Sequence, residues 1–436
     1  MKKLLIFGDG KYNKNVKLKL VPFITSRLAP FIGFTLIIVL ISKLNYPELG
    51  KFSYLTAMYS LPVVLMSMPL AMIGNISVEE KNNGKSGYDI FLSGLPIAIL
   101  MSLLGFISAL IMKDNIISKE NESVITASKI YIFCVPLLIA NTYLFYFIEG
   151  FVNNIAMAKV KLITTFTSSF VIISISFYVK KLLTWHVFSV FLLIEIIILM
   201  LYTHVLYNYF KGKYKRHKIK SMKFISSKIL RIGLPVALGL AGQKLVYFLI
   251  TQRLTNFNID LVSDLSIIMS IIGIISLPFG AFSQIHSLFV SESDKREHKK
   301  FFISGVKLSF LFIILMIFIT WLIYPYLIRL YGANPQLIDN SYFIGLSFLF
   351  ATSSLMLLCM SHLRALQDTF YSQATAVIIL LLGFIPAIWL YKLHNGELYK
   401  IIYTQSMFTT LIILILTFRI LYFKQENKKE FYHEKN

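Results

Sequence analysis

The sequence contains little charge and little cysteine. Asp, Glu, Lys and Arg make up only 15% of its 436 residues, whereas 56% are hydrophobic. This combination excludes an ordinary water-soluble enzyme, in which about 25% of residues are charged, and it equally excludes a disordered chain. The two cysteines, Cys134 and Cys359, lie inside apolar segments and are too few for a disulfide framework. We therefore expect a lipid bilayer to be the solvent.

Motifs for nucleotide or metal chemistry are also missing. The sequence has no phosphate-binding glycine loop, which excludes a nucleotide-driven pump. His186, His204, His286 and His362 occur singly, without the spacing of a metal site. A membrane enzyme would need a cluster of carboxylates, histidines or metal ligands near an interface. We therefore expect a protein that is not an enzyme, with no catalytic residue, no metal and no cofactor.

Acidic residues are about half as numerous as basic residues. There are 43 Lys and Arg residues against 21 Asp and Glu residues, a formal net charge of +22. The basic residues occur in short stretches between apolar runs, without the interleaved aromatic residues of a nucleic-acid-binding patch. We interpret them as residues that orient the chain in the membrane, and we expect no nucleic-acid partner.

Twelve apolar runs are long enough, or nearly so, to cross a bilayer as helices, which takes about 20 residues. Nine contain no charged residue: 52–78, 90–112, 130–148, 162–179, 265–291, 308–328, 340–363, 369–391 and 401–418. Three contain one internal charge each: 20–42 with Arg27, 182–210 with Glu195, and 232–252 with Lys244. Because Lys and Arg are concentrated in the loops on the side of the termini, the positive-inside rule places both termini in the cytoplasm.

A basic segment, 211–223, divides the chain into two sets of six spans. The halves share landmarks, because Pro22 corresponds to Pro235 and Pro69 to Pro278 at nearly constant offset. An even number of spans in each half makes the repeats parallel. The predicted fold is therefore all-α, a polytopic membrane protein with twelve transmembrane helices in two parallel-repeat six-helix lobes. The predicted segments are a cytoplasmic N-terminal segment (1–19), an N-lobe (20–210), a basic cytoplasmic linker (211–224), a C-lobe (225–422) and a cytoplasmic C-terminal tail (423–436).

Two bundles related in this way enclose a cavity between them, and rocking about that cavity gives alternating access. The architecture thus predicts a transporter driven by an ion gradient or by the gradient of its own substrate. Pro22, Pro69, Pro235 and Pro278 interrupt helix hydrogen bonding where the backbone could bend. The alternative interpretation of each is an ordinary membrane-helix proline.

Several short segments resemble multidrug and toxic compound extrusion (MATE) transporters. Residues 363–369, LRALQDT, resemble the LRGxGDT-type turn of that family. Residues 330–335 (LYGANP), 383–386 (GFIP), 232–235 (IGLP) and 277–280 (LPFG) are similar to its other landmarks. The resemblance covers nearly the whole chain and is best in the C-terminal half. It implies two six-helix lobes, a V-shaped central cavity, and export of a small organic molecule coupled to inward flow of protons or sodium.

The chain departs from that family at important positions. The two glycines of the turn are Ala365 and Gln367, and the membrane carboxylate that many members carry in span 7 is Gln243 here. Another group carries an aspartate in span 1, where the nearest residue is Ile37. These departures raise an alternative from the same superfamily, a flippase for a lipid-linked oligosaccharide or polysaccharide precursor, in which a basic lumen holds an anionic cargo.

The charges inside spans are the candidate substrate and ion site. Lys244 lies thirteen residues beyond Arg231, about 20 Å along a helix, and a charge at mid-bilayer costs about 2.5–3.5 kcal/mol unless it faces the protein interior or water. We expect Arg27 and Lys244 to line one cavity together with Gln243. Glu195 is the remaining candidate for a proton carrier. The alternative is that these charges are structural.

The partners and the location follow from the same reasoning. We expect a small-molecule substrate, a coupling proton or sodium ion and the membrane lipids as partners, and a monomer as the assembly. We expect the chain to lie in the bacterial cytoplasmic (inner) membrane.

Overall fold

The structure is a computed structural model. It describes residues 16, 20, 24, 32–82, 86–114, 122–151, 167, 170–172, 174, 175, 178, 182–211, 219–293, 295–366, 368–391 and 397–422. All regular structure within these ranges is helical. Ten described segments are long and apolar enough to cross a membrane. The chain is therefore an all-α, multi-pass membrane protein, as the sequence predicts.

The helices of the N-terminal half are α1 (Ile32–Leu44), α2 (Tyr46–Ala71), α3 (Ile73–Asn82), α4 (Gly87–Lys113), α5 (Glu122–Phe151) and α6 (Thr184–Phe210). Those of the C-terminal half are α7 (Ile219–Thr255), α8 (Ile259–Glu292), α9 (His298–Tyr331), α10 (Asn340–Ala365), α11 (Thr369–Ile379), α12 (Ile385–Trp389) and α13 (Leu398–Tyr422). A π-helical turn, Leu380–Phe384, joins α11 to α12.

The predicted count of twelve spans is consistent with these helices. Ten spans are present in full length, and α1 forms the second half of the predicted span 20–42. Residues 167, 170–172, 174, 175 and 178, all within the predicted span 162–179, are helical. The segments 1–15, 212–218 and 423–436 lie outside the described residues.

Several helices extend beyond the charge-free runs. α7 begins at Ile219, inside the segment predicted as a linker. The prediction missed its first turns because they carry Lys and Arg, and the search looked for uncharged runs. α2 begins at Tyr46 rather than residue 52, with Pro47 in its first turn, where a missing N–H leaves no hydrogen bond unmade. The same run breaks near Met72, whose N–H bonds the carbonyls of Leu70 and Pro69, so it contains two helices.

Each half has internal helix packing, and the two halves also pack closely on each other. In the N-terminal half, α5 lies against α2, α4 and α6, and in the C-terminal half, α10 lies against α8, α9 and α13. We call α1–α6 the N-lobe and α7–α13 the C-lobe. The lobes meet mainly through α2, which runs antiparallel to α7 and also contacts α8. Tyr54 packs on Phe248 near one end of this pair, with ring centroids 6.1 Å apart, and Gly233 lies against Pro69 near the other end.

Candidate transport cavity

A cavity of about 280 Å³ lies between the two lobes. It is lined by α1 and α2 from the N-lobe and by α7 and α8 from the C-lobe. These are the first two helices of each repeat, so equivalent elements of the two halves face each other across the opening. The apolar part of its wall includes Phe34, Phe52 and Met269. A two-lobe parallel repeat predicts a cavity at this position.

Hydroxyl groups form most of the polar wall. They belong to Thr35, Ser53, Thr56, Ser60, Tyr247, Ser266 and Ser270. Ser266 hydrogen-bonds Ser53 across the lobe boundary, and Ser270 Oγ lies 2.8 Å from the Tyr331 hydroxyl. The Thr56 hydroxyl is buried and makes no hydrogen bond. A buried hydroxyl without a partner is costly, and Thr56 therefore offers an unused polar contact at the cavity wall.

Among the described residues that line the cavity, Lys244 is the one charged side chain. No Asp or Glu is among them, and no carboxylate oxygen of the described part of the chain lies within 4.0 Å of the Lys244 ammonium. An unpaired ammonium needs water or an anion as its neighbour inside a membrane protein. The cavity therefore has a mostly apolar wall that carries one ammonium group and several hydroxyl groups.

Gln243 contacts a residue inside the C-lobe, whereas Lys244 lines the cavity. Its Nε2 donates to Oε1 of Gln373 on α11 over 3.1 Å, inside the C-lobe. Gly239 and Gly242 let α7 and α11 approach, because a Cβ at these positions would lie 2.6 Å from Gln373 Cβ and 2.5 Å from Val377 Cγ2 respectively. The small residues before Lys244 therefore serve close helix packing.

Glu195 lies within the N-lobe, away from the cavity lining. Asn141 on α5 donates its Nδ2 to Glu195 Oε2 over 2.7 Å and to the Glu195 carbonyl over 2.9 Å. The two contacts join α5 to α6. Among the described residues, no ion pair joins Glu195 to Lys244.

Of the remaining predicted residues, two lie outside the described residues and three are prolines within described helices. Arg27 and Pro22 lie outside the described residues. Pro69 lies near the end of α2, just before the break at Met72, whereas Pro235 and Pro278 lie inside α7 and α8, which continue through them. The hinge and binding roles of all these residues stay predictions.

Two buried polar pairs were not foreseen. Tyr46 on α2 donates its hydroxyl to Asp264 on α8, and the Nε2 of His286 lies 3.0 Å from Nδ1 of His362 inside the C-lobe. The predicted span 265–291 begins one residue after Asp264, because the search looked for uncharged runs. The two histidines are 76 residues apart, and no local pattern links them.

Comparison with known proteins supports the fold. No protein-family model and no curated protein matches the sequence. Among solved structures, an inward-facing multidrug resistance MATE family transporter of the MOP superfamily is 12% identical, with a TM-score of 0.70 over 90% of this chain and 94% of that one.

Two further structures match equally fully. A MATE multidrug transporter, DinF-BH, solved with a small molecule bound, is 14% identical, with a TM-score of 0.67 over 94% of this chain and 97% of that one. A MOP superfamily transporter from Pyrococcus furiosus, described by a reverse polarity of its binding pocket that suggests a different function, is 13% identical, with a TM-score of 0.66 over 95% and 97%. At these identities the likeness shows the fold, which is that of MATE transporters.

Proposed function

We propose that this chain is a secondary active membrane transporter that exports a small organic molecule by alternating access, as an antiporter of protons or sodium ions. The observation that carries the proposal is the cavity between the lobes, lined by the equivalent helices α1, α2, α7 and α8. Two lobes that meet around such a cavity can expose it alternately to the two sides by rocking. The fold shared with MATE multidrug transporters supports the same function.

The proposed orientation has both termini in the cytoplasm of a bacterial inner membrane, with the N-lobe (20–210) and C-lobe (225–422) joined by the basic segment 211–224. At the proposed cytoplasmic end, Lys228 of α7 pairs with Glu79 of α3 over 2.7 Å and with Glu80 over 3.5 Å. At the proposed outer end, Gly50 of α2 lies directly on Ile259 of α8. Pro22, Pro69, Pro235 and Pro278 are the proposed bending points between these ends.

The cargo that fits the cavity is anionic or zwitterionic. Lys244 adds positive potential in a low-dielectric setting, and the surrounding hydroxyls can donate hydrogen bonds to an anion. The described lining residues include no carboxylate that would attract a cation. The Pyrococcus furiosus relative, with its reversed pocket polarity, is a precedent for charge variation on this fold. In the proposal, Arg27 is a second cationic contact and Glu195 carries a coupling proton.

Lys244 also favours one alternative, a flippase for a lipid-linked oligosaccharide or polysaccharide precursor. A pyrophosphate-linked sugar is an anion of the kind that an electropositive cavity accepts. An exporter and a flippase differ in cargo, since a flippase moves a lipid-anchored substrate and gives no drug phenotype. A flippase should restore surface-glycan assembly in a host that lacks its own flippase, and the proposed exporter should not.

Transport in ATP-free proteoliposomes tests the exporter directly. Anionic, zwitterionic and cationic dyes of similar size should be compared for the parent, Lys244→Gln and Lys307→Gln. Lys307 is a matched control, because it is an exposed lysine on α9 that does not line the cavity. We expect Lys244→Gln to lower uptake of anionic dyes about tenfold, the effect of losing about 1.4 kcal/mol of charge-assisted binding, and Lys307→Gln to leave it unchanged. A preference of the parent for lipophilic cations would contradict the cargo proposal.

A further inference from the structure

The outer ends of the two lobes meet at a buried carboxylate, Asp264. It lies on α8 one turn after Asp260 and is only 4% exposed. Its Oδ1 accepts a hydrogen bond from the hydroxyl of Tyr46, the first residue of α2. Ser263 Oγ donates to the carbonyl of Tyr46 over 2.8 Å. This lobe contact therefore contains an ionisable group at its centre.

The packing around the Tyr46–Asp264 pair is tight. A Cβ at Gly50 would collide with the Ile259 carbonyl oxygen and lie 3.0 Å from Ser263 Oγ. One turn further into the membrane, Ser266 hydrogen-bonds Ser53 across the same boundary. Asp264 is thus shielded from water for as long as the outer ends of α2 and α8 stay together.

The charged surroundings of Asp264 are unfavourable for an anion. The titratable groups that face it are Tyr46 on α2, Asp260 on α8 and Tyr342 on α10, and none is cationic. No Lys, Arg or His nitrogen of the described residues, on α7 and α9 included, lies within 4.0 Å of its carboxylate. Asp260 Oδ1 is itself buried and makes no hydrogen bond. Asp264 therefore has one hydrogen-bond donor and a like-charged neighbour.

These observations decide which protonation state each arrangement favours. Taking an unpaired carboxylate out of water costs more than one hydrogen bond to a charged group returns, and repulsion from Asp260 adds to that cost. Contact between the outer ends hence favours the neutral acid. Separation of the outer ends would expose Asp264 to water, which favours the carboxylate.

We propose that Asp264 is a proton-binding site that links closure of the outer end of the protein to proton uptake from the outside. A proton binds one carboxylate oxygen while the outer ends are apart, and the neutral acid is then buried against Tyr46 as they close. The inference rests on the proposed function in two respects, namely the orientation in the membrane and the separation and closure of the lobes during transport. It adds a proton-binding site at the lobe boundary, outside the cavity and separate from Glu195.

Distance measurement between spin labels tests this without any substrate. Labels on cysteines at Asp114 and Gln336, exposed positions at the outer ends of the N-lobe and the C-lobe, report the separation, while Cys134 and Cys359 are buried. In lipid nanodiscs between about pH 5 and pH 8, we expect the short-distance population to grow as the pH falls. Uptake of one proton changes the closed-to-open ratio by up to about tenfold per pH unit.

Three variants separate proton binding from simple contact. Asp264→Asn resembles the neutral acid, so it should be closed at every pH and lose the pH response. Tyr46→Phe removes the donor that stabilises the buried carboxylate, so it should lower the closed population more at about pH 8 than at about pH 5. Ser266→Ala, the matched control, removes an inter-lobe hydrogen bond without a titratable group and should keep the parent pH response.

A parent without pH response, or an Asp264→Asn variant that responds like the parent, would overturn the inference. Asn is nearly isosteric with the neutral acid, so the Asp264→Asn variant should unfold at the same temperature as the parent at about pH 5. Such a match shows that the variant is folded. A pH-dependent distance in a protein that shows no transport would contradict the proposed function and would leave the proton site in place. Active transport without a pH-dependent distance refutes only the site.

Discussion

Gly50 should control how readily the outer end of the protein closes. Its α-carbon lies against Ile259 at the lobe boundary, where a Cβ would meet the carbonyl oxygen of Ile259, its Cγ1 at 2.9 Å and Ser263 Oγ at 3.0 Å. The first of these neighbours is backbone, so it cannot move aside as a flexible side chain would. Gly50→Ala must therefore separate α2 from α8 by a few tenths of an ångström or more.

The size of the effect follows from the cost of overpacking, because the change in helix propensity is the same in both arrangements. Overpacking at a close contact costs about 1–3 kcal/mol, and this cost applies to the closed arrangement. Replacing glycine by alanine inside a helix stabilises that helix by about 0.5–1 kcal/mol in any arrangement, so it does not alter the balance between them. The free energy of closure should thus become less favourable by about 1–3 kcal/mol, which lowers the closed-to-open ratio roughly fivefold to 150-fold.

Spin labels at Asp114 and Gln336 measure this shift as growth of the long-distance population at fixed pH. Gly345→Ala is the matched control, because a Cβ there meets Ile402 Cγ2 at 3.4 Å, an ordinary contact inside the C-lobe, and its distance distribution should equal that of the parent. A Gly50→Ala distribution that also equals the parent would show that α2 and α8 do not form a gate at this point.

Further substitutions test the packing and the topology. Gly332→Ala should lower the free energy of unfolding by about 1 kcal/mol in thermal unfolding, since Gly332 ends α9 with φ 62°, a conformation that costs other residues energy. Glu48→Gln should lower it by about 1–3 kcal/mol, because the buried Glu48 carboxylate accepts the N–H and hydroxyl of Thr184, each over 2.7 Å; Glu397→Gln, at a more exposed ion pair with Lys400, should cost less than about 1 kcal/mol. In intact cells, an impermeant thiol reagent should modify a cysteine introduced at Asn334 and not one at Arg216, and the reverse pattern would contradict the orientation.

Much of the fold could be predicted because a bilayer imposes a simple rule on sequence. The uncharged run 90–112 became α4 (Gly87–Lys113) with only a few residues added at each end, since a span needs little more than sufficient apolar length. The rule was incomplete where charge is tolerated inside a helix. Glu48, Asp264 and the basic first turns of α7 all belong to helices that the uncharged runs cut short.

The candidate site was less accessible to sequence reasoning. Lys244 could be placed at a cavity because an ammonium at that depth needs water or a partner. The Tyr46–Asp264 pair spans 218 residues and depends on how two lobes dock, which no local pattern encodes. The packing role of Gly239 and Gly242 is likewise visible only in the contact of α7 with α11.

Accessibility of the cavity from both sides of the membrane tests the central claim most directly. A cysteine introduced at Ser60 of the cavity wall should react with an impermeant thiol reagent added to either face of oriented proteoliposomes. Leu382→Cys, at a position that is 74% exposed on the apolar surface of the C-lobe, should react from neither face, because a thiol in the lipid forms little thiolate. The account predicts labelling of Ser60→Cys from both faces, with transport lost on labelling. Labelling from neither face, or from one face under every condition, would contradict alternating access through this cavity.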